Sequence, residues 1–175
     1  MLTGDRVVLR PIKNADLPRL WELVGDFEVS MLSSPGPIGP LSLAEFEARY
    51  KKKEPEKKNE FYFAIEVDGD LIGEAGLHDI VHFDRHCELG IGIGRDFWGK
   101  GFGQDAVRTL VDYAFEHLNM NRVELYVLAD DARAVGAYRK AGFVEEGRLR
   151  QAWVRGEYHD ELVMSVLRED WKPRA

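Results

Sequence analysis

The sequence predicts a single mixed α/β domain over residues 1–175, with one central sheet and helices around it. Three observations support this. Aromatic and β-branched runs joined by tight-turn dipeptides recur in the middle and at the end of the chain. Segments with a 3.6-residue apolar period separate them. No repeat or composition shift divides the chain, and 175 residues are enough for one domain with a real core.

The elements follow in order. "RVVLRPI" (Arg6–Ile12) reads as a strand stopped at Pro11. Asn14 is placed to cap a helix whose apolar face is Leu17, Leu20, Trp21 and Val24. Residues 30–41 hold three prolines and two glycines and read as an irregular loop. Ser42 and Glu45 form a capping box that opens a second helix through Leu43, Phe46 and Tyr50. "KKKEPEKKN" (Lys51–Asn59) reads as a solvated charge run, since interleaved glutamates spoil a nucleic-acid patch. "FYFAIEV" and "LIGEAGLHDI" are strands joined by the hairpin dipeptide Asp68-Gly69. "CELGIGIG" (Cys87–Gly94) is a third strand with glycine at alternate positions. Glycine weakens a strand, so the favoured reading is a close approach to that backbone or a bulge, ahead of tight sheet packing. A helix carries Ala106, Val107, Leu110, Val111, Ala114, Phe115 and Leu118. "RVELYVL" (Arg122–Leu128) is a buried strand. A short helix with Ala134, Val135, Ala137, Tyr138 and Ala141 on one face stops at Gly142. A last hairpin turns at Arg155-Gly156.

Composition narrows the function. The formal net charge of −7 weighs against a nucleic-acid partner and for a cationic one. No apolar run is long enough for a membrane span, and the N-terminus has no signal-peptide pattern, so a cytoplasmic protein is expected. The lone Cys87 permits no internal disulfide, fits a reducing compartment and reads as a packed residue. The five histidines lack zinc spacing, and no metal is expected.

The chemistry concentrates in "GRDFWGKGFGQDAV" (Gly94–Val107). Gly94, Gly99 and Lys100 give it the look of a nucleotide-binding P-loop, but the next residue, which should be a magnesium-binding Ser or Thr, is Gly101. Glycines before a helix start let an anion sit against unpaired N–H groups at the positive end of the helix dipole. The expected ligand is therefore a pyrophosphate held without metal, with an extended arm along Ile91–Ile93.

These residues carry a resemblance. The strand followed by "FWGKGFGQDAV", then "VELYVL", then "DDARAVGAYRKAGF", resembles the GNAT superfamily of acyl-coenzyme A N-acetyltransferases. The loop matches the family's (Gln/Arg)-x-x-Gly-x-(Gly/Ala) pattern at Gly101 and Gly103, with Trp98 in the leading slot. The second motif, Asn-x-x-Ala-x-x-x-Tyr-x-x-x-Gly-Phe, matches at Ala134, Tyr138, Gly142 and Phe143, with Asp131 in place of Asn. Both ends of the chain are similar to the branch of ribosomal-protein and polyamine acetyltransferases. The resemblance implies a mostly antiparallel twisted sheet with a splayed strand pair. It implies coenzyme A (CoA) with its pyrophosphate on the backbone of Trp98, Gly99, Lys100, Gly101, Phe102, Gly103 and Gln104. The pantetheine arm would lie on Ile91, Gly92 and Ile93, where an N–H would polarise the thioester carbonyl. Asp131, Ala134 and Lys140 on the short helix complete the cofactor set. Arg133 and Arg139, with Lys140, are candidates for the adenosine phosphate. Tyr138 would protonate the departing thiolate.

A primary ammonium of pKa ~10 leaves only about one molecule in a thousand nucleophilic at neutral pH, so a base is needed. Glu88 is the first candidate. Glu74 and His78, on one face of the preceding strand, are placed as substrate-binding alternatives. The expected activity is acetyl transfer from acetyl-CoA to a primary amine within a ternary complex. A polyamine acceptor would want acids near the first two helices, and Val29–Ala44 has none. A protein N-terminus, an amino sugar or an antibiotic amine stays open, as does a homodimer. The non-enzyme alternative, an acyl-CoA sensor, fits less well with Tyr138 and Glu88 both present.

Overall fold

The computed structural model describes residues 1–33, 41–52 and 59–172. Strands β1 (Leu2–Thr3) and β2 (Val8–Pro11) precede helices α1 (Leu17–Val24), α2 (Phe27–Ser33) and α3 (Leu43–Lys52). Strands β3 (Phe61–Val67), β4 (Asp70–Val81) and β5 (His86–Ile93) form the central meander. Helix α4 (Phe102–Glu116), strand β6 (Arg122–Leu128), helix α5 (Ala132–Lys140) and the hairpin β7 (Val144–Arg155)–β8 (Glu157–Leu167) complete the chain. The eight strands form one sheet in the order β1-β2-β3-β4-β5-β6-β8-β7, antiparallel at every pairing except β5–β6.

Local chemistry explains most of these elements. Asp68 and Gly69 both hold positive φ (51° and 88°), the backbone a two-residue hairpin turn needs to match strand twist. Ser42 and Glu45 cap α3 reciprocally: the Ser42 N–H donates to Glu45 Oε2 (2.9 Å) and the Glu45 N–H to Ser42 Oγ (3.3 Å). Gly142 ends α5 at φ +98°. The main core lies between the sheet and α4 with α5, and includes Leu77, Leu89, Leu110, Val123 and Met164. A smaller cluster of Leu17, Leu20 and Phe46 seals α1 and α3.

Two expectations are corrected. Asn14 is no cap: it lies inside a 3₁₀ turn, and the Asp16 carboxylate accepts the Lys13 N–H (2.7 Å) while Arg10 grips it (2.7 Å). Residues 30–33, read as loop, end helix α2, whose start is held by Asp26 Oδ1 accepting the Glu28 and Val29 N–H groups (3.0 and 3.2 Å). The rest of that loop and the middle of the charge run (53–58) lie outside the described residues. The glycines of β5, and Gly94 just after it, do mark a close approach, as expected. A Cβ at Gly92 would lie 3.2 Å from Val24 Cγ1, one at Gly94 2.4 Å from Leu23 Cδ2, and one at Gly90 3.2 Å from His78 Nε2. Helix α1 and His78 occupy that space.

Asp105, in the first turn of α4, clasps the N-terminal segment. Its buried carboxylate accepts the backbone N–H groups of Asp5 (3.1 Å), Arg6 (2.8 Å) and Val7 (3.0 Å). Asp105→Ala removes all three bonds, the one to the buried Val7 N–H among them, and is expected to lower unfolding stability by about 3 kcal/mol. Urea denaturation of the variant against the parent measures it, and an unchanged midpoint would refute it.

β5 and β6 pair only at His86–Arg122, Cys87–Val123 and Glu88–Glu124. Beyond them β6 follows β8 as far as Leu128–Glu161, while β5 follows β4. The two strands part, and a cleft opens between their free edges.

Candidate active site

The cleft has a volume of about 540 Å³. One wall is β5 from Glu88 to Ile93, and the other is β6 at Tyr126 and Val127. Ala134, Ala137 and Tyr138 of α5, Trp98 in the loop before α4, Gly103 in its first turn, and Val29 and Leu32 of α2 complete much of the lining. Among the described residues, the β5 backbone from Leu89 onward has no strand partner on this side. The cleft can therefore take an extended chain along Ile91, Gly92 and Ile93.

At one end the α4 N-terminus offers a row of donors. The Trp98 N–H bonds the Arg95 carbonyl (3.1 Å) and the Asp105 N–H the Gly101 carbonyl (3.1 Å), but the N–H groups of Gly99 to Gln104 have no partner among the described residues. Trp98 is thus the exception in the expected row of backbone donors, because the 3₁₀ turn before it uses its N–H. Positive φ at Gly99 (71°) and Gly101 (83°) gives the loop the left-handed turns that lead it into the helix start. The Trp98 indole N–H donates to the Ile93 carbonyl (2.7 Å), tying the loop to the strand. Lys100 points away, its Nζ 5.5 Å from the Phe97 ring centre, and its carbonyl accepts from Arg6. The Gln104 amide reaches the Lys140 carbonyl (3.4 Å) and joins α4 to α5; Lys140 itself does not line the cleft.

Asp131 caps α5 as the sequence suggests, with Oδ1 accepting the Ala134 N–H (2.9 Å). Its other oxygen pairs with Arg133 (3.0 Å), whose guanidinium lies 4.1 Å above the Trp98 ring. Tyr138 lines the cleft from the same helix, its ring centre 6.0 Å from that of Phe143. Its hydroxyl makes no hydrogen bond among the described residues. Burial first, then the Asp131 charge, pushes it up to about 12, so it keeps its proton at neutral pH.

At the other end the cleft is acidic. Glu88 and Glu161 line it beside His78, Tyr126 and Trp153. Burial raises the Glu88 carboxyl above the usual range; His78 opposes this, and Asp79, Glu124 and Glu161 reinforce it. His78 Nε2 lies 3.8 Å from Glu88 Oε1, and its Nδ1 2.9 Å from Asp79 Oδ2. Trp153 donates its indole N–H to Glu161 Oε1 (2.6 Å). Glu74 shares a face with His78 but faces Gly92 across the strand pair, on the side α1 covers. It does not line the cleft, and burial pushes its carboxyl up to about 7. Glu161, Trp153 and Tyr126 escaped the sequence reading: a charged or aromatic residue on a strand carries no mark of the cleft it faces.

The family pattern described as "Acetyltransferase (GNAT) domain" matches residues 6–144, well over half of the chain. The chain belongs to the GNAT acetyltransferase family. The spermidine N(1)-acetyltransferase of Vibrio cholerae is 30% identical over 173 residues, covering 98% of this chain and 99% of that protein. The Bacillus subtilis protein named "Putative ribosomal N-acetyltransferase YdaF" is 36% identical over 106 residues, which is 60% of this chain and 58% of that one. A crystal structure of the Vibrio cholerae spermidine N-acetyltransferase with CoA and spermine superposes with a TM-score of 0.86 at 28% identity, covering 95% of this chain and 98% of that one. This GNAT chain is an N-acetyltransferase that draws on acetyl-CoA. No helix among the described residues is long and apolar enough to cross a membrane.

Proposed function

We propose that the enzyme acetylates a small polycationic amine of the spermidine type, by direct transfer in a ternary complex. The observation that carries this reading is the acidic, aromatic end of the cleft, where Glu88 and Glu161 sit with Tyr126 and Trp153. Such a lining favours a cation with an apolar stem. The acids that the loop before α3 lacks come instead from β5 and β8. The Vibrio cholerae relative, named for spermidine and solved with spermine, supports the same acceptor class.

Acetyl-CoA supplies the acetyl group as an activated thioester. The N–H groups of Gly99 to Gln104 would hold the pyrophosphate, and Ile91, Gly92 and Ile93 the pantetheine arm as an added strand. Glu88 takes the ammonium proton, directly or through a water. Tyr138 gives its hydroxyl proton to the leaving thiolate. The second N–H proton of the tetrahedral adduct returns to the Tyr138 phenolate and Glu88 releases its proton to solvent, so ammonium and thioester become amide, thiol and a solvent proton without a covalent enzyme intermediate. Self-association belongs to this reading too: a Vibrio cholerae relative is dodecameric, and the β7–β8 hairpin here leaves Val144, Leu149, Val154 and Tyr158 exposed.

Mass spectrometry of products from acetyl-CoA and an amine panel tests the acceptor. Monoacetylated spermidine or spermine is expected. Acetylated N-terminal peptides with polyamines untouched would refute it. The base assignment has its own test. Activity through Glu88 needs its carboxylate, so kcat/KM rises with pH as Glu88 deprotonates, later than for an ordinary carboxyl because burial raises it. Glu88→Gln should lose that acidic limb and about tenfold in kcat, less than a positioned base often supplies because water can substitute. A profile identical to the parent's would remove Glu88 from the role.

A further inference from the structure

We infer that Arg133 is the counter-ion of the cofactor's pyrophosphate, held in place by Trp98 and Asp131. The inference rests on the acetyl-CoA reading and adds a residue to it. The cleft poses an electrostatic problem. Its acidic liners are Glu88, Asp131 and Glu161, and among the described residues Arg133 is the one lysine or arginine that lines it. A polyanion entering this cleft meets the carboxylates of Glu88 and Glu161 at one end, and finds positive partners at the α4 N-terminus and at Arg133, whose charge Asp131 shares. Lys100, in the loop itself, is turned toward Phe97 and does not line the cleft.

Arg133 is set for this task. The Trp98 ring lies against one face of its guanidinium at 4.1 Å, and Asp131 takes Nη2 at 3.0 Å. These contacts hold the guanidinium at the cleft wall and engage Nη2, while its other N–H groups make no hydrogen bond among the described residues. The side chain is 43% exposed, so its charge is reachable by a ligand. Trp98 immediately precedes the unpaired donors of Gly99 to Gln104, so the stack carries the positive charge of α5 across to the loop where backbone amides gather. Delocalised charge, a stacked plane and a bidentate donor edge suit arginine to a phosphate in a way lysine does not match.

Arg133→Gln should weaken CoA and 3′-dephospho-CoA alike by about 10- to 100-fold in calorimetry, and flatten the salt dependence of both. Turnover of S-acetylpantetheine, which has no phosphate, should stay at the parental rate. Arg133→Lys should fall between parent and Gln. Loss toward CoA but not 3′-dephospho-CoA would move Arg133 to the adenosine phosphate and overturn the inference. So would unchanged CoA affinity, or an equal loss with S-acetylpantetheine, which marks a merely structural role. Failure of the parent enzyme itself to bind CoA would instead overturn the acetyl-CoA reading beneath it.

Discussion

Tyr138→Phe is expected to lower kcat by about 100-fold while leaving CoA affinity and folding close to the parent's. The ring packs beside Phe143 and phenylalanine keeps that contact. The hydroxyl makes no hydrogen bond among the described residues, so its removal strands no partner. What disappears is a proton donor that lines the cleft and stays protonated, since burial pushes it up to about 12. Losing a positioned acid typically costs two or more orders of magnitude. The deficit should shrink with a thioester whose thiol is more acidic, because that leaving group needs less help. Steady-state kinetics with both thioesters provides the check. A parental kcat with the preferred amine would reduce Tyr138 to a packed aromatic.

Gly101→Asp should abolish CoA binding at accessible concentrations, a loss of more than about 100-fold. Gly101 immediately precedes α4 at φ +83°, among the unpaired N–H groups. A carboxylate there competes for those donors and repels a pyrophosphate. The fold should survive, because Asp tolerates the left-handed region and an acid at a helix start is favourable. The new Cβ would lie 3.1 Å from Arg6 Nη1, the end of a flexible side chain that can shift. Gly101→Ala separates backbone strain from charge: it should bind CoA within about tenfold of the parent. Calorimetry on the two variants decides it. Tight CoA binding by Gly101→Asp would place the phosphate elsewhere.

Much of the fold was legible because its signals are local. Asp68-Gly69, Ser42 with Glu45, the run Arg122–Leu128 and the stop at Gly142 each state a backbone preference within a few residues. Helix α2 was not, since its seven residues are too few for an apolar period and prolines crowd behind it. The glycines of β5 announced a close approach, but not by what. Their cause is the close seat of α1 and His78, which lie far from them in sequence.

The candidate site divides the same way. The loop Gly99–Gln104, the cap at Asp131 and the position of Tyr138 on the cleft face of α5 follow from sequence alone, because motif, cap and helical period are short-range. The splay of β5 from β6, the seating of Glu74 away from the cleft and the meeting of Glu88 with Glu161 were decided by the tertiary structure. Glu161 reaches the cleft only because β8 pairs with β6 on the side away from β5. The Arg133–Trp98 stack likewise joins residues 35 positions apart, on a loop and a helix that meet only across the cleft. Pairing between distant strands is set by the total burial of the sheet, and no local stretch of sequence encodes it.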